Sequence, residues 1–181
     1  MSKVAVDFRD FKTKFFTEGS PLIRVHLNFA MFEEQFKSAN GSINAHHHMS
    51  PPSWIGKRHF YAPWHVSLHT DKPSMPSLDT RPISLNAIAD EEQFMHKHHT
   101  DQINSISDWL AADPTVPIVL DVVTLRVSKK QYVVLDGNHR LSALIKSLKS
   151  KPHGHISVME YRINMGPVSP DILPDILSFY S

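Results

Sequence analysis

The stretch Val133-Val134-Leu135-Asp136-Gly137-Asn138-His139-Arg140 gathers side chains able to handle a phosphate. An apolar, β-branched run ends at Asp136 and Gly137, and an amphipathic segment begins at once. The N–H groups at a helix start lack intrahelical partners, and the helix dipole adds partial positive charge there, so such a junction is a ready anion site. Gly137 lets an anion come close to the backbone. Asn138 offers an amide, His139 an imidazole, Arg140 a planar fork suited to phosphate oxygens, and Ser142 a hydroxyl. Asp136 would repel a bare phosphate. It has a place in the site if it binds a divalent cation, orients Arg140 or His139, or activates a nucleophile. The competing reading is ordinary turn chemistry, with Asn138 as a helix cap and His139 and Arg140 in solvent.

The flanking elements must hold that junction in place. Ile118 to Val127 is strongly β-prone, Ser128 to Gln131 is a polar turn, and Tyr132 to Leu135 is a second strand, which together predict a hairpin. Leu141, Leu144, Ile145 and Leu148 follow at i, i+3, i+4 and i+7, so a helix opens at the junction. Ile156 to Ile163 reads as a last strand. Upstream, Ile83 to Leu85 is a short strand and Ala87 to His98 a helix. A further helix fits Asp101 to Ala112, with Ile103, Ile106, Trp109 and Leu110 on one face. Nearer the N-terminus, Val4 to Phe16 has helical spacing and Leu22 to Phe32 alternates like a strand. Ser38 to Trp54 reads as a loop and Arg58 to Leu68 as a strand. Ser169-Pro170 looks like the start of a short C-terminal helix. The Pro/Ser-rich segment before residue 80 marks the main boundary. The expected organisation is an N-terminal extension, 1–79, packed on an α+β core, 80–165, with a tail at 166–181.

Composition narrows the function classes. The 181 residues are 41% hydrophobic and 20% charged, as in an ordinary globular protein. No apolar run reaches the roughly 20 residues of a membrane helix, and the charged N-terminus lacks a signal-peptide core. A cytoplasmic protein with no membrane insertion is expected. The absence of cysteine excludes disulfides, thiolate metal sites and a cysteine nucleophile. A net charge of +1 gives no composition-level support for a strongly basic DNA binder.

Other polar clusters have a bland reading and a functional one. His46, His47 and His48 could ligate a metal, but three consecutive histidines do not easily face one ion, and a solvated loop is preferred. His96 and His99 stand at i, i+3, with Glu92 at i−4 from His96, and could border the pocket; a polar helix face is the simpler account. Glu91 and Glu92 suit a helix start through the dipole alone. Trp54, Tyr61 and Trp64 lie near Lys57 and Arg58, a mixture able to stack on single-stranded nucleic acid, though packing of the extension onto the core is favoured.

The segments "PIVLDVV" and "YVVLDGNHRLSALI" resemble the signature of the ParB/sulfiredoxin superfamily, in which Asp-Gly-x-His-Arg opens a helix after a hairpin. "TRPISLNAI" resembles its first strand and "DQINSISDWL" its connecting helix, so the resemblance covers roughly residues 80 to 163. It implies a small mixed sheet with helices, and a nucleotide-phosphate cradle at Gly137, Asn138, His139 and Arg140. Asp136, His139 and Arg140 would be the catalytic residues, with ATP or another nucleoside triphosphate bound and Mg²⁺ held through Asp136. In phosphotransferase members a glutamate from the early segment can act as base, which keeps Glu91 and Glu92 as candidates. Asn138 stands where sulfiredoxins need cysteine, so peroxiredoxin repair is not expected. The 18 residues after Ile163 are too few for the DNA-binding and dimerisation domains of partition proteins. A stand-alone member resembles the fertility-inhibition, or oncogenic-suppression, proteins of conjugative plasmids. That resemblance implies an ATPase with DNase activity on plasmid or transferred DNA. The alternatives are a binding-only inhibitor docking on a protein of DNA transfer or partition, and a small-molecule phosphotransferase.

Overall fold

A computed structural model of the chain describes residues 3–17, 29–70, 73–74, 80–89, 97–112, 115–150 and 154–166. The protein is a mixed α+β fold. The strands are β1 (Lys3–Val6), β2 (Ser42–His48), β3 (His59–Ser67), β4 (Pro73–Ser74), β5 (Thr80–Ser84), β6 (Ile118–Arg126), β7 (Gln131–Asp136) and β8 (Ile156–Asn164). The helices are α1 (Phe8–Phe15), α2 (Phe29–Ser38), α3 (Pro51–Ile55), α4 (Leu85–Ala89), α5 (Lys97–Ala112) and α6 (Asn138–Ser150). One sheet runs β1-β2-β8-β6-β7-β3, and β3 pairs with both β4 and β5. The β6–β8 and β3–β7 pairs are parallel and the others antiparallel.

Both faces of this sheet are covered. Ile118, Leu120 and Val122 of β6 and Ile156 and Val158 of β8 meet Ile88 of α4, Ile103 and Leu110 of α5, and Leu141, Leu144 and Ile145 of α6. The intervening β6 residues, Val123 and Leu125, point the other way with Leu135 and Ile163, against Phe11 and Phe15 of α1 and Phe32 and Phe36 of α2. Period-two alternation thus divides each central strand between two cores. The α1–α2 side is unusually aromatic: Phe8 lies within 6.2 Å, centroid to centroid, of Phe29, Phe32 and Phe36.

The hairpin of β6 and β7, the helix α6 and the strand β8 lie where their periodicity puts them. Four expectations are corrected. The helical spacing of Val4 to Phe16 is split, because Val4 and its neighbours pair with β2 and Asp7 caps α1, accepting from Arg9 N at 2.7 Å. The strand expected over Leu22 to Phe32 falls partly outside the described residues, and its end, from Phe29, is the start of α2. The loop expected over Ser38 to Trp54 contains β2 and α3. Its histidines are strand residues, zipped to β8 from Ser42↔Asn164 to His48↔Val158. Trp109 is 55% exposed, because on α5 it lies about 100° around the helix from buried Leu110. The Ala87 to His98 helix is described only at its ends, and the C-terminal helix near Ser169 lies outside the described residues. Among the described residues, no helix is long and apolar enough to cross a membrane.

Candidate functional site

The turn from β7 into α6 is built around Gly137. Its φ is +91°, in the left-handed region. A Cβ there would lie 2.8 Å from Val122 Cγ1 and 3.1 Å from the Asp121 carbonyl oxygen. The Gly137 carbonyl accepts the first helical hydrogen bond from Leu141 N at 2.8 Å. Just before it, β7 bulges: Val123 pairs with Asp136 while Thr124 pairs with Val134, leaving Leu135 as the extra residue. Bulges re-aim side chains beside functional sites. This one sets Asp136 beside Asp121 of β6, close enough for the two charges to interact.

Asp136 and Arg140 form an ion pair at 2.6 Å, with side chains 14% and 35% exposed. Burial pushes the Asp136 pKa above the usual carboxylate range, and the Asp121 charge adds to the rise; Arg140 and the Gly137 N–H pull against it without winning. Asp121 is held from the far side by Lys14 of α1, whose Nζ lies 3.0 Å from its carboxylate and also donates to the Tyr161 hydroxyl of β8. The junction therefore presents two neighbouring carboxylates, each paired with a cation, at the mouth of a helix.

The remaining sequence-predicted residues divide. Gly137, His139 and Arg140 stand together with Asp136, and His139 is half-buried. The Asn138 side chain turns back to the strand, donating to the Val134 carbonyl at 3.0 Å, so it braces the turn. Ser142 is fully buried, one turn further along the side that meets the sheet, so its hydroxyl is not offered at the surface. Glu91, Glu92 and His96 lie outside the described residues.

The histidines of β2 are not a solvated loop. Alternation sends His46 and His48 to one face and His47 to the other, where its Nε2 lies 3.0 Å from Ser157 Oγ. His48 Nε2 reaches Glu160 of β8 at 2.8 Å. Glu160 is wholly buried and also accepts from Thr124 Oγ1 at 2.7 Å and from Arg162, with Arg58 at 3.5 Å. Burial alone would raise its pKa, but the hydrogen bonds from His48, Arg162 and Thr124 reverse that and hold it at about 2. Trp54 packs on this cluster, stacked on His48 at 4.5 Å, and Arg58 sits over the Tyr132 ring at 5.1 Å. Trp54 therefore packs as expected, whereas the Trp64 side chain lies outside the described set. Sequence reasoning gave no role to Asp121, Lys14, Tyr161 or Glu160. The one signal was Glu160 itself, a carboxylate in the inward register of Ile156 and Val158. Among the described residues, no three His, Cys, Asp or Glu side chains form a metal-ligating group.

These ionisable groups set an expected acid response. Burial, reinforced by the Arg162 charge, pushes the His46 pKa down from 6.5 to about 4. Between those values the unfolded chain binds the proton and the folded one does not, so stability is full above pH 6.5 and is lost as pH falls to about 4. Glu160 extends the loss, since its stabilisation is present above its unfolded value of 4.5 and disappears as pH falls to about 2. Asp136 opposes both, because its raised pKa makes protonation favour the fold. Urea midpoints should fall from pH 7 to 5 and again to 3, and His46→Gln should flatten the first decline. A midpoint that holds or rises between pH 7 and 5 would contradict this assignment.

Set beside known protein families, characterised proteins and solved structures, the chain finds no match in any of them.

Proposed function

We propose that this α+β sheet is of ParB/sulfiredoxin type and that its β7–α6 junction binds the phosphates of a nucleoside triphosphate and hydrolyses it. The observation that carries the reading is Gly137, held at positive φ with no room for a side chain, opening α6 between the Asp136–Arg140 pair. Arg140 gives Asp136 one end of its guanidinium, and a guanidinium carries further N–H donors suited to a phosphoryl oxygen. The amides of the first turn of α6 add donors aligned with the helix dipole. Asp136 fixes the Arg140 fork and, as a cation ligand, would position the attacking water. Two neighbouring carboxylates, one of them buried, fit a hard cation, which commonly takes one or two carboxylates and completes its shell with phosphate and water. Asp121 and Asp136 would hold Mg²⁺, which when bound neutralises charge on the phosphoryl oxygens. A DNA phosphodiester presents the same group, so DNA is the proposed wider substrate, with interference in plasmid transfer the proposed role.

The test is hydrolysis of ATP and CTP, with nicking of supercoiled plasmid, by the parent, Asp136→Ala and Arg140→Ala, each with Mg²⁺ or EDTA. Arg140→Ala should weaken nucleotide binding about tenfold or more through loss of a charge-assisted contact. Both variants and chelation should abolish turnover and nicking together. Turnover that survives both substitutions would remove the chemistry from this junction. Binding without turnover in the parent would leave a nucleotide-binding protein that acts by docking on a partner.

A further inference from the structure

Asp121 already faces a cation. Lys14 reaches it from α1, with Nζ 3.0 Å from Asp121 Oδ2. The same ammonium donates to the Tyr161 hydroxyl and lies 4.3 Å from the centre of that ring. It is also 5.3 Å from the centre of the Phe15 ring. Burial works to lower the Lys14 pKa, but the contacts to Tyr161 and Asp121 outweigh it and raise the pKa, so the group stays charged at neutral pH. An ammonium is a compact point charge that only donates, so at Asp121 it stands where a metal ion would have to approach that oxygen.

This contact can open. The Lys14 and Asp121 side chains are 45% and 38% exposed, so water can replace either partner. Helix α1 is anchored separately, through the buried Phe11 and Phe15, so the lysine side chain can leave while its helix stays. Charge gives it reason to leave. Lys14 and Arg140 already balance Asp121 and Asp136. A divalent ion added to that balanced set would meet the ammonium at short range and be repelled by it. A nucleotide that carries its own metal brings phosphates as well, and these offset the added charge.

We propose that Lys14 is a built-in counter-ion of Asp121, which holds the carboxylate in the resting protein and is displaced when a divalent cation binds there. The proposal rests on the reading of the junction as a metal-assisted phosphate site. The probe is Mg²⁺ alone, titrated at constant ionic strength and followed by NMR. The Lys14 ε-methylene protons, assigned from Lys14→Gln, lie beside two aromatic rings and should resonate away from the free-lysine position. Saturating Mg²⁺ should return them toward it, in step with a shift of the Asp121 amide. Lys14→Gln should bind Mg²⁺ about threefold to fivefold more tightly at Asp121, the size expected for losing an ion pair this exposed. Lys12→Gln removes the same charge from α1 but takes it from Glu33, so the affinity should stay within about twofold of the parent. Mg²⁺ that shifts Asp121 while the Lys14 methylene stays in place, or that binds parent and Lys14→Gln equally, would overturn the counter-ion role and leave the metal site standing. No response at Asp121 in either protein would remove both, with phosphate binding at 137–140 still open to its own test.

Discussion

Replacing Glu160 with alanine is expected to cost about 3–5 kcal/mol of unfolding free energy, the range for breaking a buried ion pair by removing one partner. The carboxylate is wholly buried and is the common acceptor for His48, Thr124, Arg162 and the nearby Arg58. Without it, Arg58 and Arg162 remain as two largely buried cations, 18% and 13% exposed, with no other carboxylate paired to them among the described residues. Their placement over the Tyr132 ring offsets only a little of that cost. Glu160→Gln keeps the shape and an acceptor but not the charge, so its loss should be smaller. Urea denaturation of the three proteins at pH 7 checks the ordering. An alanine variant within 1 kcal/mol of the parent would mean that the cluster is an incidental feature of the fold.

Gly137→Val should be the most damaging change at the junction. A β-branched residue at φ +91° carries backbone strain of about 1–3 kcal/mol. Its Cβ would start 2.8 Å from Val122 Cγ1, inside a packed core, where overpacking adds about 1–3 kcal/mol. Relief would require α6 to move off the strand, which separates the first-turn amides from Asp136. Stability and nucleotide binding should therefore fall together, and Gly137→Ala should show the same pattern at reduced size. A valine variant with parental melting temperature and parental nucleotide affinity would show that the turn tolerates a side chain and that its glycine serves neither purpose.

Local pattern carried much of the second half of the fold. The residues of β6, β7, α6 and β8 write their periods plainly, and the turn at Ser128 and the glycine at 137 punctuate them. The grouping of Asp136 with Arg140 at the junction was legible for the same reason, since they are near neighbours in the chain. The partners that complete the junction were not. Lys14 meets Asp121 and Tyr161 across 107 and 147 residues of sequence, and only the sheet register brings them together. Strand β2 was hidden because "NAHHH" has little intrinsic β preference. Its backbone is satisfied by β1 and β8, and His48 Nε2 by Glu160, so tertiary context overrides local signal. The bulge at Leu135 was equally unreadable, and it decides where Asp136 stands. The inward position of Ser142 was readable in principle, since it follows Leu141 and precedes Leu144 on a helix whose apolar side faces the sheet.

In the proposed function, nucleotide phosphates rest on the first turn of α6. Backbone ¹H–¹⁵N shifts of the parent, recorded as ATP and Mg²⁺ are added, read that contact directly. The largest saturable shifts are expected at the amides of Gly137, Asn138, His139 and Arg140, with a further response at Asp121, and their loss is expected in Arg140→Ala. Amides at 137–140 that stay in place at saturating nucleotide, or shifts confined to other parts of the protein, would contradict it.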